Sequence, residues 1–305
     1  MFLKQYNKVM LKKKILKYFG FPTLIIVCLS AVFIFQTNSG LIGKVKSGAE
    51  ISDAGKLKII FFDVGQGDSS LIFTPAGKKI LVDGGPDNAI VQKLGEVLPF
   101  YDKKIDAIIL SHPHADHVGG LPEVLKRYEV GKIYMTGVLH TAPDYLEFLN
   151  LIKEKNIPVE KISSVHDEKI ENNLDFKYLY PDKDLAGQKM ENLNNSSIVF
   201  KLIYVSTTAL FMSDFENEEI FVSSSGVKSD ILKVGHHGST NANDKIFLKV
   251  VSPIYVVIQV GLNNSFGHPH FKTLYYLKQL GVKLFRTDQD GDVEFISDGQ
   301  KWSYN

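Results

Sequence analysis

From Lys56 onward the chain alternates short apolar runs with small polar turns. "LKIIFFDV", "SSLIFT" and "KKILVDGG" are β-branched and aromatic stretches separated by "GQGD" and "PAGK", a pattern that predicts consecutive antiparallel strands. "IDAIILSH" is almost wholly apolar, as expected of a strand covered on both faces. "GGLPEVLKRY" predicts the start of a helix and "KIYMT" another strand. In "APDYLEFLNLIKEKN" the residues Tyr145, Phe148, Leu149 and Ile152 share one helical face. A second half follows, with strands predicted over "FKYLYP", "SIVFKLIYV", "TALFMSD", "ILKVGHH", "PIYVVIQVG", "VKLFRT" and "DVEFIS". Helices are predicted over "ENEEIFVSS" and "HFKTLYYLKQLG". Two strand-rich halves with helices between them imply two sheets packed face to face, helices outside. No internal repeat is visible.

The pattern is different before Lys56. "YFGFPTLIIVCLSAVFIF", Tyr18 to Phe35, is eighteen residues without a charge, roughly 27 Å of helix and close to the bilayer's apolar thickness. Six lysines and no acid precede or lie in residues 1–35. An uncleaved membrane anchor and a secretory signal peptide both fit; the length of the run and the absence of a small-x-small site after it favour the anchor. The lysines place the N-terminus in the cytoplasm, so either reading sends the rest outside the cell. The expected organisation is a basic cytoplasmic N-terminus (1–17), a transmembrane helix (18–35), a Gly/Ser-rich linker (36–56) and one domain over 57–305. The one cysteine, Cys28, lies in the apolar run, so the exported body has no disulfide.

Composition adds two constraints. The chain is 44% hydrophobic and 11% aromatic, ample for a packed core. Formal net charge is +1, but outside residues 1–35 there are 29 basic against 34 acidic side chains. That acidic body argues against indiscriminate binding of nucleic acid through a broad basic face.

Seven of the nine histidines fall in three short stretches, 110–120, 235–238 and 267–270. In "LSHPHADHVGG", His112 and His114 are two apart and can turn toward one point. Asp116 and His117 follow the bend and can turn toward a second. Imidazoles with a carboxylate suit zinc-like cations. Asp214, ending "ALFMSD", offers a bridging carboxylate, and "ILKVGHHGS" offers His236 and His237, again where a strand runs out.

"SHPHADHVGG" resembles the HxHxDH signature of the metallo-β-lactamase fold superfamily. With "FFDVGQGDSSLI", "ILVDGG", "NNSSIVFKL", "FMSD", "LKVGHHGS" and "GHPH", the chain over about 57–305 is similar to the extracellular hydrolase domain of the ComEC family of competence proteins. The resemblance implies an α/β (α+β) fold, an αββα four-layer sandwich, with two divalent metal ions, zinc or manganese, at one edge and a metal-activated water as nucleophile.

Carried over by position, His112 and His114 hold the first metal, Asp116, His117 and His236 the second, and Asp214 bridges. His237 is the alternative to His236, which is favoured. The superfamily's usual third histidine for the first metal is missing from "NLNNSSIVF", making Asn195 a candidate replacement ligand or substrate contact. "SD" stands where "GD" is more usual. Asp83 matches the strand-end aspartate that braces the histidine loop. Gln66 and Asp68 either line the substrate cleft or belong to a tight glycine hairpin. Asp116 would also orient the nucleophile, and His268 would contact a phosphate oxygen and protonate the leaving group. His270 reads as a helix-start residue, and His140 and His166 as surface residues.

The function implied is that of a membrane-anchored extracellular phosphodiesterase, DNA nuclease included, or a secreted one if the leader is cleaved. One apolar span is too few for a DNA channel. Two alternatives stand beside it. One is a cell-surface phosphodiesterase acting on phosphorylcholine or glycerol-phosphate polymers; the other is a non-catalytic accessory module of DNA uptake.

Overall fold

The computed structural model describes residues 55–305. The predicted anchor or signal peptide, and nearly all of the linker, lie outside the described residues. Among those described, no helix is long and apolar enough to cross a membrane.

Strands β1 (Leu57–Phe61), β2 (Ser70–Phe73) and β3 (Lys79–Val82) pair antiparallel, as their turns predict. The two-residue strands β4 (Lys104–Ile105) and β6 (Glu129–Val130) form a small parallel ladder. Strands β5 (Ala107–Ile109), β7 (Ile133–Met135) and β8 (Val159–Lys161) extend the first sheet in parallel from β3. The second sheet begins with antiparallel β9 (His166–Glu171), β10 (Leu174–Tyr180), β11 (Val199–Tyr204) and β12 (Thr207–Phe211). It continues in parallel through β13 (Ile231–Lys233), β14 (Tyr255–Ile258) and β15 (Lys283–Arg286). Strands β16 (Val293–Ser297) and β17 (Trp302–Tyr304) return to the first sheet, β16 against β1. Both sheets therefore repeat one scheme, antiparallel strands followed by parallel ones. The sequence does not show it, because the pairing recurs and the residues do not.

Alternate strand positions divide the core into three layers. Between the sheets lie Ile59, Phe61 and Ile72 against Phe200, Phe211 and Ile231. The Phe200 and Phe211 rings stack with centroids 4.7 Å apart. On its outer face the first sheet presents Ile60, Leu81 and Ile108 to Leu94, Leu121 and Phe148 from helices Ala89–Val97, Leu121–Arg127 and Pro143–Glu154. The second presents Leu210, Leu232 and Val256 to Phe247 and Leu277 from helices Lys245–Val251 and Phe271–Leu280. This is the αββα sandwich. Each fully buried Phe, Leu or Ile contributes about 1.5–3 kcal/mol.

Two elements differ from the sequence reading. "ENEEIFVSS" yields only a single 3₁₀ turn, Glu218–Phe221. Its Glu218 carboxylate is drawn inward to accept the backbone N–H groups of Asn243 and Asp244, each at 2.8 Å. Within "RTDQDGDVEF", Thr287–Asp290 is a short helix rather than loop.

Candidate metal centre

The ends of β3, β5, β12 and β13 bring the predicted residues together. Asp83, just after β3, has a positive φ of 57°. Its carboxylate accepts Ser111 N–H at 2.8 Å and Ser111 Oγ–H at 2.6 Å, and lies 2.9 Å from Nδ1 of His117. With Nδ1 occupied, His117 turns Nε2 away from Asp83. That atom is buried without a hydrogen-bond partner, 3.3 Å from Oδ2 of Asp214. A carboxylate that fixes one ring nitrogen in this way orients the other for a cation. Asp83 therefore ties the start of the histidine loop to the end of β3.

Asp116 sits at the start of the short helix Ala115–Val118. Its carbonyl accepts the Asp68 N–H at 3.1 Å. A Cβ on Gly67 would fall 2.3 Å from that same oxygen. Glycine is what allows the "GQGD" turn to close on the histidine loop.

Asp214, three residues past the end of β12 at Phe211, is 1% exposed. Its Oδ2 lies 3.3 Å from His117 Nε2, 3.6 Å from His237 Nε2 and 4.0 Å from His112 Nε2. Among the described residues three groups of ligand atoms span no more than 4.8 Å, and Asp68, Asp83 and His117 form the one without Asp214; the other two are Asp116, His117, Asp214 and His237, and His112, His114 and Asp214. Asp214 belongs to both.

Here the geometry departs from the preference for His236. His237 is buried, 3.1 Å from Asp116 Oδ2, and its Nδ1 donates to the Gln259 carbonyl at 2.9 Å. His236 instead turns Nδ1 to Glu216 Oε1 at 2.8 Å, with Nε2 3.9 Å from Asp214. Both residues have positive φ, 46° and 49°, and that doubled left-handed step separates two side chains the sequence cannot tell apart.

Asn195 does not join either group. Its Nδ2 donates to Asn217 at 3.1 Å and its Oδ1 accepts Glu216 N–H at 3.0 Å, tying two loops together. The neighbouring Asn194 donates to Glu216 Oε1 at 3.1 Å and leaves a buried Oδ1 without a partner. Gln66 accepts the Gly261 N–H at 3.1 Å. Asp68 lies buried beneath the site, one oxygen on the Lys233 ammonium and the other 3.3 Å from His237 Nδ1.

His268 lies in the loop after β14, its ring 5.4 Å from that of His236 and 6.3 Å from that of His237. His270 accepts Lys272 N–H at the start of helix Phe271–Leu280, as read from the sequence. His140 is half-buried with its ring 6.3 Å from His114, so it belongs to the rim of the site rather than to open surface. His166 is half-buried against Tyr178. The site residues read from the sequence do not include Lys233, Glu216 or Gln259. A lysine inside the apolar strand "ILKV" is the one signal that pointed to Lys233.

Four carboxylates, of Asp68, Asp83, Asp116 and Asp214, govern the protonation of the site. Burial alone would push His117 and His237 down. For His117 the carboxylates of Asp214, Asp116 and Asp83 outweigh it and hold the imidazole well above its usual range. For His237 they are Asp214 and Asp68, and its value rises to about 10. Against their own burial, Asp116 and Asp214 are in turn held below the usual carboxylate range, chiefly by His117 and His237 respectively. His112, by contrast, is lowered by burial and by His117. The unpartnered His117 Nε2 and Asp214 Oδ1, both buried in this anionic centre, fit a divalent cation. In its absence, protons on histidine supply the positive charge.

The Metallo-beta-lactamase superfamily model matches residues 62–260, more than half of the chain. The chain belongs to this superfamily. It is 29% identical over 265 residues to ComE operon protein 3 of Bacillus subtilis, covering 80% of this chain and 33% of that protein. It is 27% identical over 263 residues to the competence protein ComA of Neisseria gonorrhoeae, covering 84% and 34%. The chain thus spans about a third of the length of these relatives. The metallo-β-lactamase fold protein YhfI of Bacillus subtilis matches in structure with a TM-score of 0.53 at 14% identity, over 76% of this chain and 96% of that one. The chain therefore joins the metallo-β-lactamase fold and candidate metal ligands to kinship with competence proteins.

Proposed function

We propose that this metallo-β-lactamase hydrolase is a metal-dependent phosphodiesterase acting on nucleic acid at the outer face of the membrane. The observation that carries it is the pair of ligand groups sharing Asp214, in a chain one of whose relatives is named a competence protein. The lysine-flanked apolar run 18–35 supports anchoring with the body outside.

Asp116, His117, Asp214 and His237 would hold one cation, and His112, His114 and Asp214 the other, zinc or manganese. Such cations lower the pKa of a nearby water and offset charge on a phosphoryl group. The protein's own part is orientation. Asp83 and Gln259 fix the Nδ1 atoms of His117 and His237, so that both Nε2 atoms face Asp214. The Asp116 carboxylate, 31% exposed, is partly open to solvent and able to accept a hydrogen bond from an attacking water. His268 is pushed down to about 4 by burial and by His236 and His237. At neutral pH the ring is then uncharged and would offer its N–H to the leaving oxygen.

The test is hydrolysis of bis-p-nitrophenyl phosphate, labelled single-stranded DNA and p-nitrophenyl phosphorylcholine by the purified chain with zinc or manganese, with Asp116→Ala as control. Cleavage of DNA that disappears in the variant supports the proposal. Turnover of the phosphorylcholine ester without DNA cleavage replaces it with an envelope phosphodiesterase. Metal binding without any turnover leaves an accessory module.

A further inference from the structure

Within the nucleic-acid reading above, which it rests on, we infer that Phe266 is a stacking platform for an unpaired base next to the scissile phosphate. Phe266 is 67% exposed, yet it stands on a loop with little freedom. The Asn264 side chain donates to the carbonyls of Gly261 and His268 at 3.0 and 2.6 Å, and accepts the N–H groups of Phe266 and His268 at 3.2 and 3.0 Å. Gln66 ties the start of the loop to the opposite sheet through Gly261. An exposed aromatic ring held by its own loop is preorganised for a ligand, because little freedom remains to be lost on binding.

The ring's position gives the ligand. Phe266 lies nearly parallel to His268, with centroids 5.9 Å apart and planes at 24°. His268 in turn lies 6.3 Å from His237 in the metal group. The rings form a short ladder from solvent to the site where a phosphodiester would sit, and a base attached to that backbone meets Phe266 first.

Charge sets the path of the strand. Beside Asn195 a cleft of about 380 Å³ is lined by Lys183, Lys189 and Glu191 with the amides of Gln188 and Asn192, a net positive lining that favours backbone phosphates. The larger cavity of about 570 Å³ on the other side of Glu216 also carries Glu219 and Asp244 and disfavours a polyanion. A paired base hides its π-face in the duplex, so the ladder selects single strands.

The experiment measures fluorescence anisotropy of a labelled oligothymidylate and of an abasic strand of equal length. Both are titrated with the full chain, wild-type and Phe266→Ala, in EDTA to prevent cleavage. Wild-type protein prefers oligothymidylate. Phe266→Ala weakens binding of that strand by about 5- to 150-fold, the worth of one base–aromatic stack, so that the two strands converge. Phe266→Tyr keeps the preference. Equal binding of both strands by wild-type protein, or an unchanged preference in Phe266→Ala, overturns the inference. Phe266-dependent binding to phosphatidylglycerol vesicles without any preference for bases overturns it in favour of a lipid contact. Hydrolysis of both strands with manganese is followed in parallel. A base preference without hydrolysis counts against the phosphodiesterase reading alone.

Discussion

The Lys233 ammonium is buried on the Asp68 carboxylate, whose second oxygen faces the ring of His237. Both side chains are at most 5% exposed. A buried pair of this kind is costly to break from one side, because the charge left behind has no water. Lys233→Met is expected to destabilise the metal-free protein by about 3–5 kcal/mol, and Asp68→Asn in the same chain to restore much of it. Urea unfolding of the singles and the double measures this; strictly additive losses would show that the pair is not coupled.

His237→Ala removes a side chain from the group with Asp116, His117 and Asp214, whereas His236→Ala removes a partner of Glu216. Bound metal measured by elemental analysis should fall in the first variant and persist in the second. The reverse result would return ligation to His236.

Protonation makes stability depend on pH when metal is absent. The His237 ring, at about 10 in the folded chain against about 6.5 unfolded, gives stability that is complete below the lower value and lost as pH rises through the upper. Glu218, raised to about 8 by burial, binds its proton more tightly folded than unfolded, so stability again falls as pH rises toward that value. The melting temperature of EDTA-treated protein should therefore drop between about pH 4.5 and pH 10, and Glu218→Gln should flatten the part of the drop below about pH 8. Adding metal should release protons, detectable with an indicator dye, and remove most of the His237 contribution.

Two turn glycines should respond differently to a methyl group. At Gly77, with φ of 84°, a Cβ meets nothing within 4 Å, whereas at Gly67 it meets the Asp116 carbonyl. Gly67→Ala should cost about 1–3 kcal/mol from crowding and weaken metal binding by displacing Asp116. Gly77→Ala should cost less and leave metal binding intact. Chemical denaturation and metal titration of both variants decide it.

Much of this was legible in the sequence for identifiable reasons. The β1–β3 meander announces itself because its turns are glycine-rich and its strands β-branched. The HxHxDH loop does so because three histidines and an aspartate crowd one bend. Asp83 was legible as a brace because it ends a strand beside that loop. Other features depend on contacts between distant segments. The choice between His236 and His237 is made by backbone torsion, which two adjacent identical residues do not encode. Asn195 proved to be a tie between loops because Glu216 and Asn217 reach it from 21 and 22 residues away. Strand β9, "HDEKIE", carries no apolar run to announce it, and its charges guard this edge strand against mispairing. Strand β17 exists because β16 offers it an edge, and helix Ala89–Val97 was hidden by its short apolar face, Ile90 and Leu94.

The placement of Asp214 and His237 on one sheet, and of His112 through His117 on the other, has a mechanical consequence. A cation gripping Asp116 and His237 would cross-link positions 121 residues apart, doing between the two sheets what a disulfide does in proteins that have one. The described residues contain no cysteine. Removing the ion would then unfasten one half of the sandwich from the other, and resistance to heat or protease should track occupancy of this single seam.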